Sequence, residues 1–126
     1  MNTLLEHARY LSLSTQKKDG SYVSTPVWFA ADESNSIYYV FSAKKAGKVK
    51  RLKNFSNASI APCTISGKTI VDSIPVTATL MAEAGEVNDA HQLLVRKYRW
   101  QMHLLDLFSR LSGKYHQRQF IKITGM

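Results

Sequence analysis

Residues 74–83 hold the longest clean period-two run in the chain, with Ile74, Val76, Ala78, Leu80 and Ala82 alternating against Pro75, Thr77, Thr79, Met81 and Glu83. Side chains alternate between two faces only in extended chain; wound into a helix, this pattern would scatter its apolar residues around the whole circumference. The run therefore predicts a central strand of a sheet or barrel. A strand needs partners, and the chain supplies them. Residues 10–15 alternate in the same way, residues 22–29 put Val23, Thr25, Val27 and Phe29 on one face, and residues 37–41 are β-branched and aromatic. Residues 58–65 return to strand character, residues 69–71 start a further extended piece, and residues 119–124 close the chain around Phe120, Ile121 and Ile123.

Turn chemistry separates these runs. Lys17-Lys18-Asp19-Gly20 reads as a hairpin turn, because Asp-Gly supplies the positive-φ positions that tight turns need. Residues 31–36 are a polar turn, and Ser66-Gly67-Lys68 is another. Pro26 has no N–H to give to a ladder, so the strand of residues 22–29 is expected at an edge or bulged there, where a ligand can approach the backbone.

Two stretches change period. Val49, Leu52 and Phe55 recur at three-residue spacing and mark a short helix after Gly47, with Lys48 and Arg51 on one border of its apolar stripe and Lys50 and Lys53 on the other. Residues 90–111 contain neither Gly nor Pro and read as helical, capped by Asn88 or Asp89, with Leu94, Tyr98, Leu105 and Phe108 in one stripe and a break near Arg99-Trp100-Gln101. Residues 4–8 add a helical turn. The order of elements predicts a mainly β (α+β) fold, a small antiparallel barrel with peripheral helices, as one domain over residues 1–126.

No stretch approaches the length of a membrane span and no signal pattern opens the chain, so a cytoplasmic protein without membrane association is expected. Cys63, the one cysteine, excludes an internal disulfide and reads as a small buried residue; His7, His91, His103 and His116 lack metal-ligand spacing, so no metal site is expected. No acid pair, nucleophile elbow or Ser-His-Asp order appears either, and no side chain is assigned a catalytic role.

Charge is the remaining signal. Residues 34–71 carry seven basic residues (Lys44, Lys45, Lys48, Lys50, Arg51, Lys53 and Lys68) and no acid, against a formal net charge of +8 for the chain. Nucleic acid, an anionic surface and a phosphorylated ligand all remain compatible with that charge. A nucleic-acid barrel would need aromatics interleaved with the cations, whereas Tyr38, Tyr39 and Phe41 precede them, so no nucleic-acid partner is expected. The helix start after Gly47 offers unpaired N–H groups beside a Lys and a hydroxyl, a chemistry suited to phosphate.

Three motifs in order, Asp19-Gly20-Ser21-Tyr22-Val23-Ser24-Thr25-Pro26-Val27-Trp28-Phe29, residues 42–52, and Ala61-Pro62-Cys63-Thr64-Ile65-Ser66-Gly67-Lys68, resemble the pyridoxamine 5'-phosphate oxidase-like (PPOX-class) split β-barrel proteins that bind flavins and deazaflavins. With Tyr98 and the closing strand, the resemblance spans most of the chain. It implies a six-stranded antiparallel split β-barrel and a homodimer with cofactor, FMN or coenzyme F-420, at the subunit interface. It implies further that Ser24, Thr25, Pro26, Val27 and Trp28 lie along the ring, and that Ser42 and Lys48 hold the phosphate with help from Arg51. Trp28, like Trp100, Tyr38 and Tyr39, is equally a residue type of a core or subunit interface. Lys44, Lys45, Lys50 and Lys53 are expected to be surface charge. The family helix commonly ends in Asn-Pro, where this chain has Phe55-Ser56. The implied activity is hydride transfer between bound cofactor and a small organic substrate; the alternative is a non-catalytic flavin-, haem- or tetrapyrrole-binding barrel.

Overall fold

The computed structural model describes residues 8–32, 36–43, 46–64, 66–69, 71–99, 101–102, 106–107 and 118–125. The expectations placed on the helical turn before Ala8, on Lys44, Lys45, Trp100, Leu105, Phe108, and on His7, His103 and His116 lie outside the described residues. The period-two runs form seven strands: β1 (Tyr10–Gln16), β2 (Tyr22–Val27), β3 (Phe29–Asp32), β4 (Ile37–Ala43), β5 (Asn57–Cys63), β6 (Ile74–Leu80) and β7 (Arg118–Gly125). Among the described residues two helices have both ends in view, α1 (Gly47–Asn54) after β4 and α2 (Ala84–Tyr98) after β6, and residues 101–102 and 106–107 are helical as well.

All strands belong to one sheet in the order β2-β1-β5-β6-β7-β4-β3, with every neighbouring pair antiparallel. The long alternating run, β6, is the middle strand. The two edges, β2 and β3, are consecutive in sequence and separated only by Trp28, so the sheet must curl until its opposite edges meet at that residue. The strand expected over residues 22–29 is thus two strands. Counted as one run that changes sides, it restores the six strands of a split barrel.

Each proline of the chain sits in a strand where its missing donor costs no ladder bond. Pro26 is on the edge strand opposite Ser12. Pro62 lies beyond Ile60, where β6 stops pairing with β5, and Pro75 precedes Val76, where β7 begins pairing with β6. Both tight turns are built alike. Gly20 N donates to Lys17 O and Lys17 N to Ser21 O; Gly67 N donates to Thr64 O and Thr64 N to Lys68 O. Gly20 and Gly67 both have φ of +90°, the left-handed position that closes a three-residue hairpin loop.

Two cores result. Inside the curl pack Leu11, Leu13, Val27, Phe29, Val40, Ile60, Val76, Ala78, Ile121 and Ile123, closed at one end by Leu52 of α1. Outside it, α2 lays Ala90, Leu94 and Tyr98 on Ala30, Tyr39 and Phe120 of β3, β4 and β7. The alternation of residues 74–83 breaks at the end of β6: Met81 is buried in the outer core and Ala82 is exposed, the reverse of the strand pattern.

The helix expected from residue 90 starts six residues earlier, at Ala84. Its N-cap is neither Asn88 nor Asp89 but Glu83, whose carboxylate accepts from the N–H groups of Gly85 (2.9 Å) and Glu86 (2.6 Å). Those bonds outweigh the low helix propensity of Gly85 and hold the Glu83 carboxyl below the ordinary carboxylate range. The expected break is present: Arg99 leaves the helix at φ 53°. Residues 69–71 contribute only a single bridge, Cys63 to Thr69. Cys63 is buried, which pushes its thiol pKa up. Helix α1 ends at Asn54 without the Asn-Pro pair, because Ser56 O accepts from Ala78 N at 2.9 Å and draws the chain into the sheet. No helix among the described residues is long and apolar enough to cross a membrane.

Candidate functional site

Helix α1 caps one end of the barrel. Its N-cap, Ala46, is extended (φ −63°, ψ 150°) and provides no side-chain hydrogen bond, and the first turn contains no acid. Val49 N and Lys50 N both donate to Ala46 O. The helix start thus keeps its partial positive charge uncompensated by the side chains that usually answer it. Arg51 reaches back over this start: a Cβ added at Gly47 would lie 2.7 Å from Arg51 Nη1. Its Nε donates to Thr15 Oγ1 at 2.6 Å, and Thr15 is fully buried on the inner face of β1. The guanidinium is therefore fixed at the barrel end, and its terminal nitrogens lie against the residue that opens the helix.

Lys48 is half-buried one helical turn before Arg51. Burial, with the neighbouring Arg51 charge second, pulls its pKa below the ordinary lysine value. Two cations and an uncapped helix start, without a carboxylate in that turn, favour an oxyanion. Phosphate accepts several charge-assisted bonds at once and fits this donor set.

Ser42, the hydroxyl expected to complete the set, is the penultimate residue of β4 and pairs with Gln119 of β7. Among the described residues no hydrogen bond joins it to Lys48 or Arg51; it stands at the end of β4, next to Ala43, whose carbonyl accepts from the N–H of the α1 N-cap Ala46 at 3.0 Å.

Residues 24–27 lie on edge strand β2. Thr25 and Val27 face the interior, where Thr25 Oγ1 is buried with no hydrogen-bond partner among the described residues. Ser24 and Pro26 face outward. A proline cannot exchange ladder bonds, so its pair with Ser12 is a non-hydrogen-bonded one, and Ser24 with Ser14, two residues on, is the same. The backbone groups of Ser24 and the carbonyl of Pro26 consequently point away from β1, to the open edge. Ser24 Oγ meets Ser14 Oγ at 2.6 Å, on the wall of a concavity of about 250 Å³ with Ser12, Thr69 and Asp72. Arg51 is one strand away, since Thr15 pairs with Val23. Trp28 is engaged within the chain: its ring stacks on Tyr98 (centroids 4.4 Å apart, planes at 18°) and meets Phe41 edge-on at 6.4 Å.

No protein-family model and no curated protein matches the sequence. Solved structures do. HutZ from Vibrio cholerae, described as a heme storage protein, superposes with a TM-score of 0.71 at 12% identity, covering 98% of this chain and 85% of its own. A candidate pyridoxamine 5'-phosphate oxidase from Listeria innocua gives 0.62 at 14% identity over 96% and 86% of the two chains. An F420 reductase gives 0.63 at 15% identity over 98% and 91%. The chain has the split-barrel fold of these proteins. At such identities the likeness concerns the fold.

The split barrel also makes contacts that no sequence pattern announces. Tyr98 Oη accepts from Phe29 N (3.0 Å), the N–H at the β2/β3 break, and donates to Arg9 O (2.6 Å); burial pushes its pKa to about 12. Lys97 Nζ sits 3.2 Å from the centroid of the Phe29 ring. Beyond α2, Asp106 is buried between Arg118 Nη1 (2.6 Å) and His91 Nε2 (2.9 Å). These three come from separate segments, and only the fold assembles them.

Proposed function

We propose that the chain is a cytoplasmic, homodimeric oxidoreductase of the pyridoxamine 5'-phosphate oxidase-like kind, binding FMN or coenzyme F-420 and exchanging hydride with a small organic substrate. The observation that carries the reading is the barrel end, where Arg51, fixed by Thr15, and Lys48 stand over an uncapped helix start. Those groups would hold the cofactor phosphate, each charge-assisted contact contributing about 1.5–3 kcal/mol. The open edge of β2 would present the backbone of Ser24 and Pro26 to the ring, and the partner subunit would close the other side. Hydride chemistry is supplied by the flavin or deazaflavin when bound. The chain's residues bind and orient it and exclude water; none is assigned a proton-transfer step.

Titration of the purified protein with FMN and with F-420, followed by absorbance and fluorescence, tests this directly. Saturable binding to one of them is expected, weakened about tenfold or more by Lys48→Ala and by Arg51→Ala at unchanged circular dichroism. Binding to neither cofactor would overturn the assignment.

A second reading, a non-catalytic haem or tetrapyrrole carrier, is favoured by the likeness to the heme storage protein. In such a carrier His91 Nε2, engaged by Asp106, would not be the iron ligand. A Soret band on hemin titration, with no turnover of reduced flavin or deazaflavin, would favour the carrier.

A further inference from the structure

A second concentration of positive charge lies between α1 and the β1–β2 turn, including Arg51 but not Lys48. An open groove of about 360 Å³ runs between the β1–β2 turn and the helix, lined by Lys17 and Lys18 from the turn, Lys50, Arg51 and Asn54 from α1, and Gln16. Its charged lining is thus four cations and no carboxylate, drawn from segments more than thirty residues apart in sequence.

Lys17 and Lys18 are exposed side chains carried on a backbone turn of fixed geometry, Lys50 is exposed on α1, and Arg51 is anchored through its side chain. The turn is held by Gly20 N to Lys17 O (3.0 Å) and Lys17 N to Ser21 O (2.7 Å), with Gly20 at φ +90°. On the other wall, the Arg51 guanidinium is anchored through Nε to the fully buried Thr15. The acid nearest in sequence, Asp19, does not line the groove: its Oδ1 accepts from Ser21 N (2.9 Å) and Ser21 Oγ (2.6 Å), and of the four cations only Lys17 is felt by its carboxylate. Like charges converging on a concavity repel one another, and a multivalent anion seated there relieves that repulsion while accepting several hydrogen bonds.

We propose that this groove is a binding site for a small multivalent oxyanion, a diphosphate or a polycarboxylate, separate from the phosphate site at Lys48. Its size is that of a small-molecule site, and its lining contains no aromatic ring on which a base could stack. Arg51 is shared between the two sites; Lys17, Lys18 and Lys50 belong to this one alone.

The test is an amide NMR titration of the full chain with pyrophosphate and, separately, with citrate, the two probes distinguishing a phosphate from a carboxylate source. Saturable shifts confined to the amides of residues 16–20 and 47–54 are expected with at least one probe. The affinity should fall at least tenfold in Lys17→Ala/Lys18→Ala and in the charge-reversed Lys18→Glu, and change less than twofold in Lys48→Ala. Shifts that do not saturate with either probe overturn the proposal, as does an equal loss in Lys48→Ala or tighter saturation of the same amides by a single-stranded oligonucleotide. Flavin and deazaflavin binding is read through Lys48, so a failure here leaves that assignment standing, and a failure there leaves this one.

Discussion

Lys97 shows how one residue acquires a property that its type does not carry. Its ammonium rests over the Phe29 ring, a favourable cation–π contact, yet it is drawn out of water and lies near Arg9. Burial dominates, with Arg9 second, and the pKa falls from 10.5 to about 8. Between those values the unfolded chain binds more protons than the folded one, so folding stability rises with pH through that window. Lys48 is shifted in the same direction. The expected result is a urea midpoint that climbs from about pH 7.5 to about pH 9 in the wild type, below the range in which the raised Cys63 thiol acts in the opposite sense, and climbs less in Lys97→Met, which is also the more stable protein at about pH 7.5. Parallel curves for the two proteins would show that Lys97 is not the group responsible. Nothing in the sequence foretells this, because the Lys97 environment is made by residues 9 and 29, far from it along the chain. The glycines are the opposite case: Gly20 was legible because a tight turn after Asp19 demands a positive φ, and Gly67 because it falls between two polar residues at the end of a strand.

At the scale of elements, the periodicities were readable and the boundaries were not. The six extended runs of the main sheet, the short helix after Gly47 and the break at Arg99 follow from period, turn residues and Gly placement, which are local causes. The α2 start was misplaced because Gly85 and the polar residues after it look like loop until the Glu83 carboxylate is seen binding two of the helix N–H groups. The division of residues 22–29 at Trp28 has a tertiary cause: Tyr98 Oη takes the Phe29 N–H and donates to Arg9 O, and the Tyr98 ring stacks on Trp28. One side chain of α2 thus satisfies the backbone where the strand passes from one sheet edge to the other. Tyr98→Phe keeps the stack and removes both bonds, leaving a buried N–H unpaired. A loss of about 1–3 kcal/mol is expected from chemical denaturation, without loss of the helix signal. A change below about 0.5 kcal/mol would mean that water or another group replaces the hydroxyl.

For the molecule as a whole, the curled sheet has an outer surface in two unlike halves. One half, on β3, β4 and β7, is covered by α2 through the second core. The other, on β1, β2 and β5, carries Ser12, Ser14, Ser24 and Ala61 around a concavity also lined by Thr69, Val71, Asp72 and Ser73; Ser12 and Ala61 are buried there, Ser24 at the β2 edge is exposed, and no core cluster among the described residues stands on it. The small side chains of Ser14 and Ser24 toward the β2 edge let another surface approach closely, with exposed Val71 lining the same concavity and exposed Tyr22 on β2. The proposed homodimer uses this half, because a partner seated there would also meet the open edge of β2 and complete the ring-binding side of the site. Ser24→Arg places a long charged side chain in the middle of that surface while leaving both cores and α1 untouched. Light scattering is expected to give a dimer for the wild type and a monomer for Ser24→Arg, with cofactor affinity falling in step while the melting curve of the monomer stays cooperative. A dimeric Ser24→Arg protein with full affinity would move the interface to another face and separate the cofactor site from it. A monomeric wild type that still binds cofactor would show that one barrel suffices, with the helix start at Gly47, Lys48 and Arg51 as the principal hold.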